Sequence, residues 1–128
     1  TKNPSLMRDC FIEGALTIDY GPAGQFSDRD ELVSIFEQIG CHPHMLEMHH
    51  GHNPVIDVQN ETSAAGSWEL CYQLLNTQEQ TITQLALIYY DDYLCVDGHW
   101  KISSTTVQNV STVVLDIAGD AISVKHAG

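Results

Sequence analysis

Residues 41–54 read CHPHMLEMHHGHNP and hold five of the chain's seven histidines. Imidazole and carboxylate side chains so close together support three chemistries. They can ligate a metal, move a proton, or simply keep a strand wet. For a metal, His42 and His44 with Glu47 offer the nitrogen and oxygen donors that zinc, iron or manganese accept. The spacing argues against it, because Glu47 comes too early and no second histidine group follows; His99 falls at a turn. For proton transfer, the stretch must be a strand. Side chains then alternate, so Met45, Glu47 and His49 share one face while Leu46, Met48 and His50 share the other. A carboxylate and an imidazole two apart on one wall can share a proton and tune each other's pKa. In the third reading, these polar residues line a solvated face.

The elements around the stretch must decide. Pro4 suits a first helical turn, and Leu6, Met7, Cys10 and Phe11 form an apolar set behind it. A short strand, residues 15–20, precedes the turn residues Gly21, Pro22 and Gly24. Ser27-Asp28-Arg29-Asp30-Glu31 reads as a cap followed by an acidic first turn. Leu32, Val33, Ile35, Phe36 and Ile39 supply that helix's apolar stripe, and Gly40 ends it. Strands follow at residues 45–52 and 55–59, broken at Asn53-Pro54, and then at 65–75, 81–96 and 99–110. Asp97-Gly98 is a strong hairpin signal. Helices first and long antiparallel strands afterwards predict an α+β domain with helices over one face of a bent sheet. Such a sheet encloses a pocket.

Bulk composition excludes several functions. The 128 residues suit one domain, and the formal charge is −12, from five Lys plus Arg against seventeen Asp plus Glu. Phosphate backbones and anionic membrane surfaces are met with Lys and Arg, so neither nucleic acid nor membrane is an expected partner. Without an apolar run of roughly 18 residues or a leader at its start, the chain reads as cytoplasmic. Cys10, Cys41, Cys71 and Cys95 are scattered and read as small buried hydrophobes. HExxH, GxSxG and GxGxxG are absent, which removes zincin, serine-hydrolase and dinucleotide readings.

Two further strands would furnish the pocket. Trp68, Leu70 and Tyr72 alternate with Ser67, Glu69 and Cys71, and Tyr89, Asp91 and Tyr93 alternate with Tyr90 and Asp92. Inside a bent sheet, one such series becomes an apolar lining with hydroxyl handles.

These residues also carry a family likeness. Asp9-Cys10-Phe11, Ala15, Asp19-Tyr20-Gly21, His49-His50-Gly51-His52-Asn53-Pro54-Val55-Ile56, Gly66-Ser67-Trp68-Glu69-Leu70, Tyr89-Tyr90-Asp91-Asp92-Tyr93 and Asp97-Gly98-His99-Trp100-Lys101-Ile102 stand in an order and spacing that resembles the SnoaL-like branch of the nuclear-transport-factor-2-like (NTF2-like, cystatin-like fold) superfamily, over about residues 5–108. That group includes scytalone dehydratase, bile-acid 7α-dehydratase, hexachlorocyclohexane dehydrochlorinase, ketosteroid isomerase and polyketide cyclases. The resemblance implies a cone-shaped α+β barrel: a strongly curved antiparallel sheet with N-terminal helices packed over its concave face. Residues 1–128 would form this single domain, with the family's first helix incomplete or missing.

The resemblance further implies a lyase or isomerase of the dehydratase or polyketide-cyclase type that needs no cofactor or metal. It would abstract a proton from a small apolar or polycyclic molecule, and would form a homodimer. His49 matches the family's histidine base. Thr17, Glu47, Trp68, Tyr72, Tyr89, Thr105 and Val107 are the expected substrate-contacting residues. Two departures qualify the match. By the family's spacing the aspartate that orients the base falls immediately before Thr1, and Asp9 lies more than two turns too far along to replace it. Where some relatives carry an arginine after Trp-Lys-Ile, this chain reads Ser103-Ser104-Thr105-Thr106-Val107-Gln108, so anionic substrates or leaving groups receive less help. Two other readings therefore stay open: a non-catalytic small-molecule-binding or dimerisation module, and a metal enzyme using His42, His44 and His49 or His52.

Overall fold

In the computed structural model, residues 2–119 are described. Helix α1, Pro4–Asp9, begins with Pro4, and the Asn3 side chain caps it by accepting from the Leu6 N–H. Strand β1, Thr17–Asp19, leads through a 3-10 turn at Gly21–Ala23 into β2, Gln25–Phe26. Helix α2 spans Arg29–Gly40, and its cap is Asp28, whose carboxylate accepts from the Asp30 and Glu31 N–H groups. Strands β3 (Met45–Val58), β4 (Ser63–Asn76), β5 (Thr81–Val96) and β6 (His99–Asp116) form a long meander.

The sheet order is β2-β1-β6-β5-β4-β3. The fold is the expected α+β cone, with one refinement: β1 runs parallel to β6, so the sheet is mixed, and it is curled without closing. After α1 the chain meets this edge of β6 twice in the same direction, first where Phe11 bridges Ile102 and then where Thr17 stands opposite Ser104.

The strand expectations differ in two places. The break at Asn53-Pro54 is a bulge within one strand, the register passing from His52 opposite Glu69 to Val55 opposite Ser67. Asn53 takes φ +48° there, and Pro54 is tolerated because β3 is an edge strand whose missing N–H costs no ladder bond. Strand β6 runs beyond Val110 to Asp116, since Thr81 at the start of β5 needs a partner and finds it in Asp116. The Asp97-Gly98 hairpin forms as expected, with φ of +52° and +77°, the two left-handed positions of a type I′ turn.

The core is small. Phe11, Leu16, Ile18 and Leu32 are buried, with Met7, Ile12, Tyr20, Phe26 and Ile102 packed against them. The cysteine expectation is corrected: all four are free thiols, and none is buried. Cys71 faces away from the concavity because it alternates with the inward Leu70 and Tyr72, and Cys10 lies at the exposed end of α1. Of the apolar tail residues, Ile117 is buried, while Ile122 and Val124 lie outside the described residues. No described helix is long and apolar enough to cross a membrane.

Candidate active site

Pairing register assigns the concave face. His49 stands opposite Tyr72, Tyr72 opposite Leu85, Trp68 opposite Tyr89, Tyr89 opposite Val107, and Asp91 opposite both Gly66 and Thr105. These side chains all point the same way, because residues opposite each other share a face. Of these, His49, Tyr72, Leu85, Tyr89 and Val107 converge on a cavity of about 270 Å³ whose other lining residues are Tyr20, Leu70, Leu87, Pro22, Ala23 and Asn109. Walls that are mostly apolar with a few convergent polar groups are those of a small-molecule site. A second cavity, about 310 Å³, lies under α2 and shares Tyr20, Ala23 and Tyr72 with the first; Glu47 lines it among Phe26, Ile35, Phe36 and Met45.

The His49 ring meets the Tyr72 ring edge-on at 4.8 Å. The residue is exposed, yet the cavity wall desolvates part of the ring and lowers its pKa, while the Glu47 carboxylate on the same face pulls the other way. The neutral, proton-accepting imidazole is thereby favoured. Glu47 is itself held by Lys2, whose ammonium lies 3.8 Å from its Oε1 and donates to the Gly40 and Met45 carbonyls.

Three tyrosines face the histidine. Burial, reinforced by Glu47 and Tyr89, pushes the Tyr72 phenol up to about 12. Tyr20 is raised by burial and by its neighbours Tyr89 and Asp91, and Tyr89 by burial and Asp91. Tyr20 and Tyr89 meet edge-to-face at 6.2 Å. All three hydroxyls therefore remain protonated donors at neutral pH.

Behind them lies a polar chain. The Trp68 Nε1–H donates to the Tyr93 hydroxyl at 2.9 Å, which donates to Asp91 Oδ2 at 2.8 Å. Asp91 is only 8% exposed. Gly66 makes room for this layer, since a Cβ there would lie 2.6 Å from the Ile56 Cδ1 and 3.2 Å from a Tyr93 ring carbon. Replacing Tyr93 with phenylalanine takes away the donor of a buried carboxylate. It is expected to lower stability by about 1–3 kcal/mol, read as a shifted urea midpoint.

The candidate residues thus divide. His49, Tyr72, Tyr89 and Val107 line one cavity, and Glu47 lines its neighbour. Trp68 stands on the same face but behind, in the polar chain. Thr105 is 1% exposed and beside Asp91. Thr17 is exposed and lines neither cavity, because it alternates with the buried Ile18. Sequence reasoning left out Tyr20 and Asn109. Tyr20 reaches the cavity only through the turn after β1, and no periodicity signals that. Asn109 lies two residues on from Val107 in the expected strand, so alternation carries a signal for it. The other histidines scatter: His42 and His44 stack at 5.2 Å in the α2–β3 connection, while His50 and His52 alternate away from His49. Among the described residues, no three His, Cys, Asp or Glu side chains gather as metal ligands.

The profile of the SnoaL-like domain matches residues 1–106. A scytalone dehydratase-like protein of Novosphingobium aromaticivorans superposes with TM-score 0.78 at 26% identity, over 88% of this chain and 74% of that one. The hexachlorocyclohexane dehydrochlorinase LinA-type3 of Novosphingobium barchaimii gives 0.74 at 15% identity, over 95% and 82%. ActVI-ORFA of Streptomyces coelicolor gives 0.68 at 11%, over 84% and 82%; these last two likenesses are of fold alone. Among curated proteins no match was found.

Proposed function

The chain belongs to the SnoaL-like domain family, and from that premise we propose that it is a cofactor-free lyase or isomerase that draws a proton from a small apolar or polycyclic substrate. The carrying observation is His49, with its basic form favoured by desolvation, on the wall of a cavity it shares with three protonated phenols. In this reading His49 accepts a proton from a carbon next to a carbonyl or leaving group. Tyr20, Tyr72 or Tyr89 donates a hydrogen bond to the oxygen on which charge develops, the preorganised stabilisation that lowers such barriers most. The leucines and Val107 exclude water and hold the apolar body.

The pH dependence follows with a definite sign. A base must be unprotonated, so kcat/KM should rise through the His49 pKa and level off above it. That midpoint is expected below the ordinary histidine value of 6.5. Because Glu47 stabilises the imidazolium, Glu47→Gln should move the midpoint lower still. NMR titration of the His49 ring measures both; a midpoint above 6.5, or an upward move in the variant, contradicts the assignment.

One observation favours a second reading. Among the described residues, no hydrogen bond is made to the His49 ring, so nothing there fixes its tautomer. A binding module that holds a small apolar molecule without turnover fits that. Proton–deuterium exchange in a panel of hydroxy-ketones separates the two, since binding alone leaves the C–H bonds unexchanged. Pairing of two copies through the convex face, where Met48, Tyr90 and Val113 are exposed, belongs to the same proposal and is measured by light scattering. A cytoplasmic location is likewise proposed, and fractionation of the source cells tests it.

A further inference from the structure

The electrostatic sign of the cavity points to a class of ligand. Two carboxylates share its face of the sheet: Glu47, two residues before His49 and lining the adjoining cavity, and Asp91, two residues after Tyr89 and buried behind it. Of the four described lysines and arginines, Arg8 is spent on Asp30, Arg29 on Glu13, and Lys101 on the Asp9 carbonyl. Lys2 lies 3.8 Å from Glu47 and donates to the Gly40, His42 and Met45 carbonyls. Asp91 has no cationic partner among them. Among the described residues its one donor is the neutral Tyr93 hydroxyl, and its buried Oδ1 has no partner. A carboxylate held this way projects negative potential across the rings in front of it, because little water intervenes to screen it.

Those rings add to the potential. Tyr20 and Tyr89 meet edge-to-face, with Phe26 edge-on to Tyr20 at 6.5 Å. Aromatic faces are negative at the centre, so a cation over them is attracted, and quaternary ammonium groups are bound in this way. An anion in the same place meets aromatic rings with a carboxylate behind them, and among the described residues no lysine or arginine lies on the lining.

We propose that the cavity takes a ligand bearing a small alkylammonium group, seated against Tyr20 and Tyr89 with its charge balanced by Asp91, and that it rejects the anionic isostere. This rests on the proposed function only in using the same cavity; it requires no turnover.

The test uses three molecules of one shape: choline, its uncharged analogue with carbon in place of the quaternary nitrogen, and the tert-butylacetate anion. Each is titrated into the full chain and followed by calorimetry. Choline is expected to bind about 3–30-fold more tightly than the carbon analogue, and the anion more weakly than either. Asp91→Asn should remove most of choline's advantage while leaving the affinity of the carbon analogue unchanged, and Tyr89→Leu should also reduce that advantage. The ranking on the unaltered chain stands by itself if a variant fails to fold. The proposal is overturned by an anion that binds as well as choline, by choline no tighter than its carbon analogue, or by no binding of any of the three at millimolar concentration. It is also overturned if the preference is unchanged in a folded Asp91→Asn protein. The same ranking in His49→Gln, with exchange activity lost, upholds both readings; the ranking without exchange activity in the unaltered chain upholds only this one.

Discussion

His49→Gln is expected to lower the rate of proton abstraction by about 10²–10⁴, the usual worth of a positioned general base. Glutamine keeps a planar polar group of similar reach but accepts no proton near neutral pH. The cavity walls come from other residues, so the substrate should still bind, and the loss should appear in kcat more than in KM. The assay is deuterium uptake at the carbon next to a carbonyl in substrates that the unaltered protein turns over. Unchanged exchange in a folded variant removes His49 from the chemistry. Restoration by added imidazole would support the assignment more strongly than loss alone, because a small diffusible base can replace the missing proton acceptor and not a missing piece of structure.

The largest effect on stability is expected from Phe11→Ala, at about 3–5 kcal/mol. Phe11 is 4% exposed and is one of four residues that make the buried cluster. It also stands in the bridge to Ile102 that ties the N-terminal segment to β6. Domains of this size have about 5–15 kcal/mol of stability, so the variant forfeits a large part of it. Guanidinium titration followed by tryptophan fluorescence measures the loss. A cost below 1 kcal/mol would mean that this cluster is not what holds α1 and β1 against the sheet. Tyr20 reaches the cavity through the turn after β1, so the same variant should also weaken ligand binding.

Local chemistry explains which features could be read in advance. Asp28, Pro4 and Asp97-Gly98 fix helix starts and a hairpin through contacts within a few residues, and each forms where the residue types require it. Period-two alternation placed Glu47 and His49 on one wall and His50 on the other, and register confirms this against Tyr72 and Cys71. The length of β6 was not legible, since Val110 to Asp116 extend only because Thr81 to Leu85 across the sheet need partners. The exposure of Thr17 was missed for a related reason. Which of two alternating residues in β1 faces inward depends on its parallel pairing with Ser104 to Thr106, which lie far away in sequence.

By itself, the sequence determined the order of elements, the excess of negative charge, and the pairing of a carboxylate with an imidazole on one strand face. These depend on neighbours along the chain. Only the tertiary structure decided that Tyr20 joins Tyr72 and Tyr89 around His49, and that Asp91 lies buried behind them with one oxygen unpartnered among the described residues. Sheet curl and long-range register bring those groups together, and no spacing within a single segment encodes either one.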